Sequence, residues 1–163
     1  MTTIAYRDDV LAGDTQITVG SSIGGHMQKV FRKGRLLYAM TGCSGLSDSF
    51  RSWVNGGLVG PAPDMKDGDA DANGVLFPGG DLVVWRFNKA WTAHRAPFFA
   101  FGSGQDFALG AMAQGATAEE AVRIAAQFDT ASGGKVTVLR RDGLLAASGG
   151  VIYVASPRAK DRA

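Results

Sequence analysis

The chain has 163 residues, of which 45% are hydrophobic and 20% are charged, and its formal net charge is +2. This length and composition predict a single globular domain over residues 1–156, with enough apolar side chains for a sizeable core. We find no apolar run of about 18 residues and no basic-then-apolar N-terminal segment, so we expect neither a membrane span nor a secretory signal. A lone cysteine, Cys43, excludes an internal disulfide and indicates a reducing, cytoplasmic location.

The positive charge is concentrated in the C-terminal tail 157–163. This tail holds three basic residues and one acidic residue, so it alone carries the net charge of the whole chain. No interleaving of aromatic and basic residues accompanies it, and nucleic-acid binding is therefore not expected.

The first third of the chain alternates short apolar segments with turn residues, a pattern typical of antiparallel strands. A turn at Lys33-Gly34 predicts a hairpin, and a Gly/Ser loop is expected at residues 20–25. Apolar residues at helical spacing then predict a short helix that ends at residues 55–57. The strands are predicted at residues 3–7, 10–14, 16–19, 29–32 and 36–40, and the helix contains Leu46, Phe50, Trp53 and Val54.

Glycine, proline and aspartate dominate residues 56–74, where we expect an irregular segment. Two helices are predicted further on, at about 104–114 and 117–128. Gly115 ends the first, and a capping box that starts at Thr117 begins the second. The remaining strands are predicted at residues 75–77, 82–87, 98–101, 135–140 and 151–155. Strands at both ends with helices between them indicate an α+β fold.

Thr2 is the first candidate functional residue. Loss of Met1 would make it the N-terminal residue, which would then offer both a hydroxyl nucleophile and an α-amine. An α-amine with a pKa near ~8 can accept the hydroxyl proton at neutral pH. A small residue after Met1 is common, however, and residues 2–4 also fit the opening of an edge strand. The interpretation therefore depends on the downstream residues.

Several polar residues lie downstream in short glycine-containing motifs. They are Asp14 after Gly13, Lys29 at the start of a strand, Gly42 after Met40-Thr41, Ser103 in Gly102-Ser103-Gly104, and Asp129 with Ser132 before Gly133-Gly134. In this order over residues 2–140 the sequence resembles the catalytic β-type subunits of proteasomes, especially the bacterial HslV-type peptidases. The opening Thr2-Thr3-Ile4, the stretch from Gly13 to Thr18 and the Asp129-x-x-Ser132-Gly133-Gly134 pattern carry the resemblance.

The resemblance implies a four-layer αββα sandwich of the N-terminal nucleophile hydrolase type, with a shortened first helical layer. It also implies a role for each matching residue. Thr2 would be the nucleophile, Lys29 would lower the pKa of its hydroxyl, and Asp14 would pair with Lys29. Ser103, Asp129 and Ser132 would orient the amine and a water. The Gly42 N–H would donate to the oxyanion, and Thr18 and Met40 would bind the substrate.

The same resemblance implies a threonine endopeptidase that needs no cofactor and assembles as homo-oligomeric stacked rings. Unfolded polypeptide would be its substrate, and an ATP-dependent unfoldase a possible partner. The irregular stretch 56–74 stands where the family has a second long helix, so ring size and stacking stay open. Two alternatives also stay open: a catalytically silent ring or scaffold protein, of bacterial or phage origin, and an amidase that acts on a small molecule.

Simpler explanations exist for the single residues. Asp14 also fits a turn, Lys29 a surface strand, Ser103 a helix N-cap and Asp129 a solvated helix end. A weak calcium-loop pattern is formed by Asp69, Asp71 and Asn73, but its twelfth position is Gly80 instead of glutamate. An acidic turn between two strands explains it better, and no metal is expected.

Overall fold

A computed structural model describes residues 2–141, which form two larger antiparallel sheets, a separate hairpin and three helices. The strands are β1 Thr3–Arg7, β2 Val10–Gly13, β3 Gln16–Val19, β4 Ser22–His26, β5 Val30–Lys33, β6 Leu36–Gly42, β7 Lys66–Asp67, β8 Ala70–Gly79, β9 Leu82–Phe87, β10 Ala90–Arg95, β11 Phe98–Gly102 and β12 Thr137–Arg140. The helices are α1 Ser44–Asn55, α2 Gln105–Ala113 and α3 Ala118–Phe128. No helix in this part of the chain is long and apolar enough to cross a membrane.

The first sheet has the strand order β11-β1-β2-β12, and α2 and α3 pack against one of its faces. Small residues dominate this contact, which lets the helix backbones approach the sheet closely. The buried alanines there are Ala5, Ala12, Ala100, Ala108, Ala118, Ala121 and Ala125. A capping box between Thr117 and Glu120 begins α3 as predicted, with both reciprocal hydrogen bonds present.

The second sheet has the order β10-β9-β8-β6-β5, with β7 paired to β8, and α1 packs against one of its faces. Phe50 and Val54 of α1 are fully buried against Tyr38 and Met40 of β6. Among residues 2–141, α1 is the one helix on this sheet. Its bounds match the short helix predicted from the apolar spacing.

A third apolar cluster joins the two sheets. Residues alternate faces along a strand, so Ile4 and Tyr6 of β1 point toward the second sheet while Ala5 points toward the helices. Tyr6 stacks on Phe77 of β8 with ring centroids 4.6 Å apart. Burial of one such aromatic side chain contributes about 2–3 kcal/mol to folding.

Three stretches differ from the sequence prediction. The expected loop at residues 20–25 overlaps β4, and the expected irregular segment 56–74 contains β7 and the first half of β8. The strand β10 was not predicted at all. The strand β4 and the first half of β8 are rich in residues that are uncommon in strands, and pairing with a neighbouring strand overrides that propensity. The predicted strand 151–155 and the basic tail 157–163 lie outside the described residues.

Candidate active site

The candidate residues meet at one end of the strands of the first sheet. The register of β1 and β11 pairs Thr3 with Gly102, so Thr2 lies beside Ser103. Because β2 runs antiparallel to β1, its last residue reaches the same edge, where Asp14 follows. The Asp14 N–H donates to the Thr3 carbonyl at 3.1 Å, which ties the two ends together.

The Asp14 carboxylate is the centre of the site and is 1% exposed. Its Oδ1 atom accepts hydrogen bonds from the Thr2 hydroxyl at 2.5 Å and from the Thr3 N–H at 2.9 Å. The Oδ2 atom accepts the N–H groups of Gln16 and Gly133, each at 3.0 Å. With its lone pairs filled by this many donors, the carboxylate is held in one orientation.

Lys29, which immediately precedes β5 of the second sheet, completes the group. Its Nζ atom donates to Oδ1 and Oδ2 of Asp14 at 2.9 and 3.0 Å and to the Gln16 carbonyl at 2.6 Å. The lysine side chain is 7% exposed. Burial lowers the pKa of Lys29, and the charge and hydrogen bonds of Asp14 offset only part of that effect.

A second chain of hydrogen bonds runs from the Thr2 backbone to Asp129. The Thr2 N–H donates to the Ser103 hydroxyl at 3.2 Å, and Ser103 donates to Oδ2 of Asp129 at 2.6 Å. Ser132 donates to the same oxygen at 2.5 Å. Burial would raise the pKa of Asp129, but the hydrogen bonds from Ser103, Ser132 and the Ala131 N–H outweigh it and lower this pKa.

A cleft of about 290 Å³ opens over the Thr2 side chain. Gly42 lies in its wall with a φ of +96°, a backbone conformation that favours glycine. A side chain at this position would also collide with the Asp71 carbonyl of β8. The residues that line the cleft include Thr2, Thr18, Lys29, Met40 and Gly42. These are the predicted nucleophile and its neighbouring lysine, the predicted oxyanion glycine and the two predicted substrate-binding residues.

Sequence reasoning missed Gln16 and Gly133 as parts of this site. Gln16 contributes its N–H to Asp14, its carbonyl to Lys29 and its side-chain amide to the Thr130 carbonyl at 3.0 Å. Both residues lie in motifs that carried the resemblance. Their contribution is made mainly by backbone groups, which every residue type has, so residue identity does not reveal it.

The calcium candidates lie on the other sheet. Asp71 and Asn73 belong to the extended strand β8, and Asp71 forms an ion pair with Lys66 at 3.5 Å. Asp69 precedes the strand in a turn. An extended strand does not curl around a cation as a calcium loop does. Across residues 2–141 no group of three or more acidic, histidine or cysteine side chains is placed to hold a metal ion.

The arrangement can support acyl transfer by a hydroxyl nucleophile. The hydroxyl of Thr2 and the ammonium of Lys29 bind the same oxygen of Asp14, so a cation lies next to the atom that would gain negative charge. Thr2 is among the residues that line the cleft, and in the described structure the residue is 1% exposed. Backbone and side-chain groups hold these atoms in place.

Comparison with known proteins identifies the fold. No family model matches the sequence, and no curated protein matches it significantly. Thiobacillus denitrificans BPH in complex with epoxomicin is similar in structure, with 20% identity, a TM-score of 0.56 and coverage of 87% of this chain and 99% of that chain. BPH alone gives 21% identity, a TM-score of 0.55 and coverage of 84% and 95%.

Eukaryotic HslV from Trypanosoma brucei is also similar, with 18% identity, a TM-score of 0.59 and coverage of 85% of this chain and 98% of that chain. At these identities the likeness defines the fold. The chain therefore has an HslV-like fold, which confirms the resemblance found in the sequence at the level of the fold.

Proposed function

We propose that this chain is an N-terminal threonine endopeptidase that cleaves unfolded polypeptide after Met1 has been removed. One observation carries the proposal: the Thr2 hydroxyl and the Lys29 ammonium share the buried carboxylate of Asp14 at the floor of an open cleft. The HslV-like fold supports the same reaction class.

In this reaction the Thr2 oxygen attacks the carbonyl carbon of the scissile peptide bond. The free α-amine of Thr2 takes the hydroxyl proton, directly or through a water, and returns it to the leaving amine. Water then hydrolyses the acyl ester on Thr2. Lys29 stabilises the developing alkoxide, and the Gly42 N–H is the proposed oxyanion donor, a contact typically worth ~3 kcal/mol of barrier.

The cleft favours an extended substrate with an uncharged side chain next to the cleaved bond. Among residues 2–141, Lys29 is the one charged residue that lines the cleft, and that lysine is bound to Asp14. Ile17, Val19, Met27 and Met40 supply apolar surface. We assign Met40 to the pocket for the side chain before the cleaved bond and Thr18 to backbone binding by strand addition.

The proposed assembly is a homo-oligomer of stacked cytoplasmic rings, with an ATP-dependent unfoldase as a possible partner. Each subunit would be one four-layer αββα domain over residues 1–156, with α2 and α3, the two sheets and α1 as its layers. Phe107 and Phe128 on the outer helices support an interface, because they stack at 5.5 Å between centroids and are 43% and 63% exposed.

Epoxomicin, the compound in the BPH complex, provides the test. The purified full chain is treated with epoxomicin, and intact and peptide masses are measured for wild type and Thr2→Ala. We expect loss of Met1, an adduct on the peptide that begins with Thr2, and cleavage of an unfolded protein by wild type alone.

Two other results would contradict the proposal. Retained Met1 with no adduct and no cleavage would favour the silent scaffold, for which the reduced helical layer on the second sheet is the motivating feature. Hydrolysis of a small non-peptide amide, with no cleavage of unfolded protein, would favour the amidase.

A further inference from the structure

Thr3 contacts both halves of the site although it is not the nucleophile. It is fully buried, its N–H donates to Oδ1 of Asp14 at 2.9 Å, and its hydroxyl lies 2.7 Å from the hydroxyl of Ser132. Ser132 in turn contacts Asp129. Thr3 therefore links the Asp14 carboxylate, which accepts from the Thr2 hydroxyl, to the Asp129 carboxylate, which is connected through Ser103 to the Thr2 nitrogen.

The direction of the Thr3–Ser132 hydrogen bond follows from counting protons. A hydroxyl has one proton, and Ser132 donates its proton to Oδ2 of Asp129 at 2.5 Å. The oxygen of Ser132 must therefore accept from Thr3, so the Thr3 hydroxyl is the donor. Without this donor the lone pair of Ser132 would be left buried and unsatisfied, because Ser132 is 4% exposed.

The same counting applies on the other side of Asp129. Ser103 donates to Oδ2 of Asp129 at 2.6 Å, so the oxygen of Ser103 accepts from the Thr2 N–H at 3.2 Å. Two donor chains thus end on one carboxylate oxygen. In such chains each hydrogen bond polarises and strengthens the next, so loss of the first donor weakens the bond to the acceptor.

We propose that Thr3 is a positioning residue for the proposed peptidase: its hydroxyl orients Ser132, which keeps Asp129 ionised and aligned with Ser103 behind the Thr2 amine. This role rests on the proposed function and adds a residue to it. Because Thr3 acts through Ser132 and not on the substrate, its removal affects kcat and leaves KM nearly unchanged.

The test measures kcat and KM on a short uncharged peptide amide, with rates normalised to the fraction of chains that epoxomicin labels. Thr3→Val removes the donor and keeps the shape. We expect roughly a tenfold fall in kcat, because one hydrogen bond in a network is lost. Thr3→Ser keeps the hydroxyl donor and should therefore restore kcat. If the second methyl group of valine does not fit at this buried position, Thr3→Ala is used in place of Thr3→Val.

A double-mutant cycle tests whether Thr3 acts through Ser132. In the Ser132→Ala background, Thr3→Val should lower kcat far less than in wild type. The acid limb of the pH–rate profile reports deprotonation of the Thr2 amine, and in Thr3→Val it should move to lower pH, because a less well aligned Asp129 carboxylate stabilises the protonated amine less. Thr137→Val is the matched control, since the Thr137 hydroxyl makes no hydrogen bond within residues 2–141 and its removal should leave kcat and the profile unchanged.

The outcomes separate the two proposals. If Thr2→Ala is inactive while Thr3→Val keeps wild-type kcat and pH profile, or if its effect adds fully to that of Ser132→Ala, the role of Thr3 is wrong and the peptidase stands. If Thr2→Ala hydrolyses the peptide as fast as wild type does, both proposals are wrong.

Discussion

Lys29 donates to both carboxylate oxygens of Asp14, and the two side chains are 7% and 1% exposed. Removing two charges from water is costly, and the pair is stable only because further groups satisfy both partners. Backbone N–H groups fill the remaining positions of Asp14, and the Gln16 carbonyl accepts from Lys29. Neither residue can be changed without leaving the other charge buried and poorly compensated.

We therefore expect Asp14→Ala to destabilise the folded protein by about 3–5 kcal/mol, the usual cost of breaking a buried ion pair. Lys29→Ala should be inactive, with a loss of at least about 10²-fold in kcat, because the cation next to the nucleophile is gone. Urea unfolding and peptide hydrolysis measure the two effects.

The exposed pair of Lys66 and Asp71 serves as the control for this experiment. Its side chains are 47% and 42% exposed, so Lys66→Ala should change stability by less than about 1 kcal/mol and leave hydrolysis intact. Near-normal hydrolysis by Lys29→Ala would show that another group supplies the charge.

The nucleophile itself gives the second prediction. Thr2→Ala should reduce hydrolysis to a few per cent of wild type or less, roughly the loss expected for a covalent nucleophile. Assembly and melting temperature should be unchanged, because the Asp14 carboxylate keeps its other donors. Thr2→Ser retains a hydroxyl and should keep measurable turnover. Hydrolysis by Thr2→Ala close to that of wild type would assign the chemistry to another residue.

Much of the fold follows from local patterns in the sequence. The alternation in β1 and β2, the apolar spacing in α1 and the capping box of α3 all predicted the observed elements. The strand β8 was only half predicted, because its first residues are Ala70-Asp71-Ala72-Asn73-Gly74. Pairing with β6 on one side and β9 on the other determines its conformation, and no local pattern encodes such pairing.

The sequence could predict which residues the candidate site brings together, but not their geometry. The sequence pointed to Asp14, Lys29, Ser103, Asp129 and Ser132, and the structure brings all five within one hydrogen-bonded group around Thr2. The register between β1 and its two neighbours creates that group. The direct bond from the Thr2 hydroxyl to Asp14 was not predicted, because it depends on that register and on no single motif.

Gly102 gives a prediction about the strand that supports the nucleophile. Its φ is +100°, and a Cβ at this position would collide with the Thr2 carbonyl. Gly102→Ala should therefore displace Thr2 and lower hydrolysis by at least about tenfold, since a small misplacement of a nucleophile is costly. Gly110→Ala is the control, because a Cβ there meets open space. Equal activity of the two variants would argue that Thr2 does not need this support.

The capping box of α3 gives a prediction that is independent of catalysis. The Thr117 side chain accepts the Glu120 N–H at 3.2 Å, and the Glu120 carboxylate accepts the Thr117 N–H at 2.8 Å. Thr117→Ala should reduce the free energy of unfolding by about 1 kcal/mol. Thr92→Ala on the exposed strand β10 should have a smaller effect. Equal losses in urea unfolding would show that the cap contributes nothing specific.

Asp129 connects the site to stability in acid. Its pKa in the folded protein lies below the ordinary value of 3.8, because hydrogen bonds from Ser103 and Ser132 outweigh the effect of burial. Between the two pKa values the unfolded chain binds more protons than the folded one. The contribution of Asp129 to stability is therefore complete above about pH 4 and is lost as the pH falls through the folded-state pKa.

We accordingly expect the melting temperature of wild type to fall more steeply below about pH 4 than that of Asp129→Asn, which lacks the titrating group. Asp69→Asn is the control, because Asp69 lies exposed in the turn before β8 and its side chain takes part in no hydrogen bond or ion pair within residues 2–141. Its melting curve should follow wild type at every pH. Parallel curves for wild type and Asp129→Asn would mean that Ser103 and Ser132 do not stabilise the ionised carboxylate, and the proposed support of the Thr2 amine would fail with it.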